Sequence, residues 1–385
     1  MSEKKSPDKG YTQRLTIAAG ATKFEMDFRF LIAGGGTAGH LFPGISVARE
    51  LERRFKGTEI LFIVGRRKME SDLLTHYGYR AKAIDVEGLK GRGWKKGITV
   101  VFKLPGSVTQ SLSVIREFSP RLVLGMGGYS AGPICLAARL MRVPTAIHEQ
   151  NSYPGLTNRL LSRIVDRVFI SFEESRVHLK AKSITLTGNP VRRELFSELN
   201  VPTENRKVFT ILVVGGSQGA KAINEVFAEA LVHLSAKGKH PRVIHQTGQL
   251  DYARAVQDYR KRGLKAAVLP FIRNMTAAYQ QADLVVSRAG ATTIFELAAL
   301  GKPSVLIPYP YATNQHQEMN ARSLVQAGGA EMLHQSGLTA EILSKLLVEY
   351  MDNPSALKAM GKRARKMGRP DAVKDIVDQL VAMTS

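Results

Sequence analysis

Two stretches of this chain open in the same way, about 180 residues apart. Residues 28–57, FRFLIAGGGTAGHLFPGISVARELERRFKG, pass from a short apolar strand through a glycine loop into a helix marked by Leu41, Ile45, Ala48, Leu51 and Phe55. Residues 208–234, VFTILVVGGSQGAKAINEVFAEALVHL, repeat that order. Strand, glycine turn and helix together open a doubly wound α/β unit, so the chain reads as two such units. Short β-branched runs follow in each half: Glu59–Val64, Leu122–Leu124, Thr145–His148 and Val168–Ser171, then Val243–Gln246, Ala267–Leu269, Leu284–Ser287 and Ser304–Pro308. Helical stretches separate most of them, which argues for parallel sheets.

A chain of 385 residues exceeds the ~250–300 residues at which single cores stop growing. The apolar periodicity fades over 192–207, which sets the boundary. The expected division is an extension at 1–25, a first domain at 26–195, a second at 196–367, and a final helix at 368–385 packing back on the first domain. Ligands of open α/β sheets bind outside the carboxyl ends of the strands, so both glycine loops should face one cleft.

Composition removes several alternatives. The single cysteine, Cys135, excludes an intrachain disulfide and reads as buried filler. No stretch offers the ~20 apolar residues of a spanning helix, and the first 25 residues lack the apolar core of a signal peptide. The chain is therefore expected to stay in the cytoplasm. The net charge is +22, of which residues 1–195 carry +15. Such a first half attracts anions, whether nucleic acid, phosphorylated substrates or an acidic membrane surface.

Gly34, Gly36 and Gly39 have the G-x-G-x-x-G spacing and would bring backbone amides to a phosphate at a helix N-terminus. An NAD site wants an acid after the second strand, where Gly65, Arg66 and Arg67 stand instead. His40 follows the loop beside the positive end of a helix, a place that keeps an imidazole neutral and able to accept a proton. In the second half, Ser217 and the amides of GGSQGA suit an anion, without the Lys-Ser/Thr ending of a hydrolase P-loop. Glu296, one turn into the helix that opens at Ala291, could accept from both hydroxyls of a ribose. NQHQ (Asn314 to Gln317) and HEQN (His148 to Asn151) supply groups that pair with sugar hydroxyls. With no Asp-x-Asp pair and no Cys/His cluster, neither a metal nor another cofactor is expected.

Taken in order, GGGTAGH, GMGGYSAGP, HEQN with GLTN, TGNPVR, GGSQGA, FIRNM and RAGATTIFELAALGKP resemble the MurG family of bacterial peptidoglycan glycosyltransferases over roughly residues 28–380. The resemblance implies a GT-B fold of two Rossmann-like domains. It implies an inverting, metal-independent transfer of N-acetylglucosamine from UDP-GlcNAc to the C4 hydroxyl of the muramyl sugar of lipid I, giving lipid II. Thr37, Ala38 and Gly39 would then lie near the donor diphosphate and sugar, with His40 as the general base and Glu149 as its alternative. Asn151 and Gln317 would contact the GlcNAc. Arg192, Ser217 and Ile272 would surround the phosphates and uracil. Glu296 would hold the ribose within the donor-contacting run Ala291, Thr292, Thr293, Ile294, Phe295 and Glu296. His316 departs from the family, where a second glutamine is frequent.

A polyprenyl-linked acceptor requires the first domain to meet lipid. Between Gly88 and Arg116 six basic residues and no acidic one are interleaved with apolar side chains. Lys90, Arg92, Trp94, Lys95 and Lys96 are the expected contacts with an anionic membrane at its cytoplasmic face. Other proteins of cell-wall synthesis are conceivable partners, and nucleic acid is not expected. Two rivals are an NADP-dependent oxidoreductase, which leaves the second half unexplained, and a basic binder of RNA or lipid, which lacks any RNA-reading motif.

Overall fold

The computed structural model describes residues 24–25, 28–36, 38–66, 68–86, 93–197, 208–216 and 219–384, with backbone alone at 24–25, 38, 93–103 and 197. The first unit runs β1 (Arg29–Ala33), α1 (Ala38–Arg54), β2 (Glu59–Val64), α2 (Lys68–His76), β3 (Arg80–Ala83), α3 (Gly93–Phe118), β4 (Leu122–Gly125), α4 (Ala131–Leu140), β5 (Thr145–Glu149), α5 (Leu156–Leu161), β6 (Arg167–Ile170) and β7 (Ile184–Leu186). Its seven strands are all parallel, in the order β3-β2-β1-β4-β5-β6-β7. The second unit contains β8 (Thr210–Val214), α6 (Lys221–Ala236), β9 (Arg242–Gln246), α7 (Tyr252–Lys261), β10 (Ala267–Leu269), α8 (Met275–Gln281), β11 (Leu284–Ser287), α9 (Ala291–Leu300), β12 (Ser304–Leu306), α10 (His316–Gln326), β13 (Ala330–Met332), α11 (Ala340–Asp352), α12 (Pro354–Met367) and α13 (Ala372–Ala382). Its parallel sheet, β10-β9-β8-β11-β12-β13, repeats the same winding.

The central strands form because both their faces are covered. Phe30 and Ile32 of β1 point into one core with Leu41, Ile45, Ala48 and Leu51 of α1, while Leu31 and Ala33 point into the other with Ile134 and Ala138 of α4. Near-continuous apolar runs are the signature of such doubly covered strands. Cys135 is one of the buried residues of that second core, and burial pushes its thiol up to about 12.

Five strands escape the sequence reading: Phe24–Glu25 and Phe55–Lys56, which pair in parallel and place Phe55 just past the end of α1 where it was read as helical, and β3, β7 and β13, each at the edge of a large sheet. The last three are short and largely half-exposed, with Lys82, Thr185 and Glu331 among their residues. An edge needs no apolar face on both sides, so the signal that marks a central strand is missing there.

The cores do not respect the division of the chain. Ile376, Val377 and Leu380 of α13 pack with α1 and β1 of the first unit. In the opposite direction Phe172, Val191 and Leu195 enter the core beneath the second sheet, where the Phe172 and Phe295 rings meet edge to face at 4.9 Å. In both sheets the winding reverses between the first strand and its neighbour, β1/β4 and β8/β11, and the glycine-rich loops follow those strands. Ligand crevices of doubly wound sheets form at such reversals.

Candidate active site

The first glycine loop is clasped by protein on two sides. A Cβ on Gly128 would come within 2.2 Å of the Gly35 carbonyl oxygen, so the GMGG turn after β4 lies directly against the loop and admits no side chain there. On the other side Gly36 N donates to Glu70 Oε1 at 2.7 Å, and Gly65 N donates to Oε2 at 3.3 Å. Glu70 is 1% exposed. The expectation that this loop offers its amides to a phosphate is thereby redirected: at Gly36 the anion is a carboxylate of the protein itself. The NADP alternative weakens with it, and Arg66 stands 3.3 Å from Asp85.

His40, in the first turn of α1, lies over Gly127, where a Cβ would come within 3.3 Å of its ring. Its Nδ1 is 3.0 Å from Gln150 Oε1. Gln150 belongs to HEQN, which leaves the carboxyl end of β5 and is buried at its first three positions. Glu149 accepts at Oε1 from the backbone and side-chain nitrogens of Asn151 (2.9 and 3.2 Å), and at Oε2 from Gly155 N (3.0 Å) and Asn158 Nδ2 (2.9 Å). Burial pushes its carboxyl above the usual range while these donors pull it back. Four donors take up the acceptor capacity of a carboxylate. Glu149 thus braces the loop that presents Asn151.

The second unit closes over this loop. Asn320 of α10, itself fully buried, accepts at Oδ1 from Ser152 N (2.9 Å) and Ser152 Oγ (3.1 Å). Its Nδ2 donates to Asn151 Oδ1 at 3.2 Å and to Ala289 O at 3.3 Å. Glu296 and Arg192, expected to meet a nucleotide separately, meet each other: Arg192 Nη2 donates to Glu296 Oε1 at 2.9 Å, while Tyr279 Oη donates to Oε2 at 2.9 Å. The Arg192 guanidinium also lies 5.3 Å from the Phe42 ring centroid of α1.

The donor-side loops are equally tight. A Cβ on Gly219, whose φ is +77°, would fall 1.9 Å from the Thr247 carbonyl oxygen. Gln246 bridges two of these loops, donating to Gly216 O at 2.9 Å and accepting from Ile272 N at 2.8 Å. The first turn of α9, Ala291 to Ile294, carries no acidic residue against its positive end. Gln317 accepts from Tyr309 N at 3.0 Å, which orders the turn before NQHQ. Within NQHQ itself Asn314 and Gln315 both hold left-handed backbones, with φ of 52°. His316 Nδ1 donates to Thr313 O at 2.8 Å, as a loop-forming group.

Thr37, Ser217, Lys90 and Arg92 lie outside the described residues, as do the side chains of Ala38, Trp94, Lys95 and Lys96; Gly39 follows Ala38 in the first turn of α1. Among the described residues no group of acids, histidines or cysteines is arranged to hold a metal, and no helix is long and apolar enough to cross a membrane. Sequence reasoning missed Glu70, Gln246, Tyr279, Asn320 and the part played by Gln150. A polar residue at the end of an otherwise apolar strand was the available signal for Gln150 and Gln246. Nothing in the local pattern marked the other three.

The glycosyltransferase family 28 N-terminal domain matches residues 30–170, and the family 28 C-terminal domain matches residues 210–376. The UDP-N-acetylglucosamine–N-acetylmuramyl-(pentapeptide) pyrophosphoryl-undecaprenol N-acetylglucosamine transferase of Syntrophus aciditrophicus is 46% identical over 358 residues, covering 93% of this chain and 99% of that protein. The protein of the same description from Myxococcus xanthus is 44% identical, covering 92% of each. The crystal structure of Acinetobacter baumannii MurG superposes with a TM-score of 0.74 at 33% identity, covering 92% of this chain and 99% of that one.

Proposed function

The chain belongs to glycosyltransferase family 28, and from that premise we propose that it transfers N-acetylglucosamine from UDP-GlcNAc to the C4 hydroxyl of the muramyl sugar of lipid I, forming lipid II with inversion. The observation that carries this reading is likeness along both halves at once, 93% of this chain and 99% of its relative. Donor-side and acceptor-side elements are then both covered.

His40 is the general base. Its imidazole takes the proton of the C4 hydroxyl, the oxygen attacks the anomeric carbon, and the bond from that carbon to the diphosphate breaks with its electron pair leaving on UDP. The amides of Gly215–Gly219, Ser217, the N-terminal turn of α9 and Arg192 meet the growing charge, a preorganised stabilisation that needs no reorientation during the step. Glu296 retains lone pairs beyond those given to Arg192 and Tyr279, so ribose hydroxyls add to this pair. Ile272, its amide committed to Gln246, offers its carbonyl and side chain to the base. Asn151 and Gln317, with Thr37 to Gly39, line the sugar. The enzyme works as a peripheral protein at the cytoplasmic face of the plasma membrane, where the basic, apolar segment Gly88–Arg116 meets anionic headgroups.

Incubation with labelled UDP-GlcNAc and a short-chain lipid I analogue, with a chelator present, tests the reading. A β-linked disaccharide product is expected. Failure to transfer while UDP still binds would overturn the assigned acceptor, and transfer that requires added metal would overturn the mechanism.

A further inference from the structure

The orientation of the Gln150 amide is dictated by its surroundings. Its nitrogen faces Met126 O at 2.9 Å, His148 O at 3.2 Å and His148 Nδ1 at 3.1 Å. Carbonyl oxygens only accept, so the amide nitrogen must occupy that end. His148 agrees: its Nε2 lies 3.1 Å from Gly188 O, which requires a proton on Nε2 and leaves a lone pair on Nδ1 to receive the Gln150 amide. Burial lowers the His148 imidazole to about 4, so it is neutral at physiological pH. Gln150 is 2% exposed and His148 fully buried, which leaves little room for water to replace either partner. The amide oxygen is therefore the end that meets His40 Nδ1, at 3.0 Å.

We infer that Gln150 is a positioning residue that holds His40 in the Nδ1–H tautomer and so keeps the lone pair on Nε2, the nitrogen that receives the acceptor proton. The inference rests on His40 being the base. An oxygen beside Nδ1 can only accept, so a proton stays there, and a neutral imidazole then has its basic site on the other nitrogen. Without that oxygen, the ring relaxes toward the Nε2–H form that free histidine favours in water, and that form has no lone pair where it is needed. Gly127 makes the seat possible, since a Cβ there would crowd the His40 ring at 3.2 Å.

Two substitutions separate the acceptor oxygen from the shape of the side chain. Gln150→Met keeps the approximate shape and loses both the oxygen toward His40 and the nitrogen that donates to Met126 and His148. Gln150→Glu, as the protonated acid, donates from one oxygen to the acceptors at Met126 and His148 and turns its other, accepting oxygen toward His40. In protein labelled with nitrogen-15 histidine, the His40 signals of wild type and Gln150→Glu should show a protonated Nδ1 and an unprotonated Nε2, and Gln150→Met should move toward the opposite tautomer. Turnover of Gln150→Met should fall roughly 10- to 10³-fold, below the ~10⁴-fold loss when a catalytic imidazole is locked in the wrong tautomer. Its donor Michaelis constant should stay within about twofold, and Gln150→Glu should recover most of the turnover. An Nε2–H signal in wild type, or a Gln150→Met variant that changes melting temperature and donor affinity but not tautomer, overturns the inference. The base reading fails separately, if tautomer follows Gln150 as stated while His40→Ala retains turnover.

Discussion

At the scale of single residues, His40 and Glu296 make contrasting demands on the protein. His40 is to act on the acceptor, so His40→Ala should lower turnover by about 10²–10⁴-fold, the usual cost of losing a general base, with UDP affinity in calorimetry almost unchanged. Weakened UDP binding with intact turnover at saturation would make it a donor ligand instead. Glu296 is both a ligand and a structural partner, because Arg192 and Tyr279 lean on its two oxygens. Glu296→Ala should raise the Michaelis constant for UDP-GlcNAc far more than that for the acceptor. Charge-assisted hydrogen bonds to the ribose are worth ~2–4 kcal/mol together. The melting temperature should drop as well, since a half-buried guanidinium and a buried phenol lose their acceptor. Donor affinity within twofold of wild type would remove Glu296 from the ribose site.

At the scale of elements, the glycine loops are set by steric exclusion more than by flexibility. Gly219→Ala must force Cβ onto the Thr247 carbonyl and place a side chain at φ +77°. Strained backbone of this kind costs roughly 1–3 kcal/mol. The variant should therefore show a lower urea midpoint and weaker UDP binding together, and a wild-type profile in both would mean that the loop can be rebuilt. The segment Gly88–Arg116 raises a different question, because its sequence of cations and apolar anchors suits a headgroup boundary. Replacing Lys90, Arg92, Lys95 and Lys96 with glutamine should weaken flotation with anionic vesicles, since each cation is worth about 1 kcal/mol near such a surface. Kinetics on a water-soluble acceptor should not change. Equal flotation by the quadruple variant at low salt would move the membrane face elsewhere.

At the scale of the whole molecule, stability depends on two imidazoles buried in separate units. Burial lowers His148 of the first unit to about 4 and His245 of the second to about 3. His245 is enclosed by Tyr259 Oη at 2.8 Å and Asn224 Oδ1 at 3.0 Å, a lattice that suits the neutral ring. The stability they confer is complete above the ~6.5 of an unfolded histidine. It is lost as pH falls toward the folded values, because the unfolded chain binds protons that the fold refuses. Each contributes a slope of ~1.4 kcal/mol per pH unit in that window. Glu149, pushed upward by burial, works in the opposite sense, so the net uptake should lie below two protons. Urea midpoints should fall between pH 7 and pH 5, and a flat profile would contradict the neutral state of both rings. The units are also tied by exchanged core residues. Leu380→Ala in α13 should therefore destabilise the first unit by ~2–5 kcal/mol, measurable as a lower melting temperature.

Local pattern carried a good deal of this protein. The doubled strand, glycine loop and helix determined the fold class, because a buried parallel strand must be apolar throughout and the turn after it must lack a side chain. The central strands were legible for the same reason, and the half-exposed edges β3, β7 and β13 were not. The ordered motifs named the family. Only the tertiary structure decided which groups face one another: Glu70 on the first loop, Arg192 on Glu296, Asn320 across to Asn151 and Ser152, Gln150 on His40. These pairs join residues 34 to 169 positions apart, apart from the Gly65 contact of Glu70. A hydrogen bond depends on the position and direction of two atoms. A sequence states which atoms exist, and the packing of two sheets and their helices decides where they point.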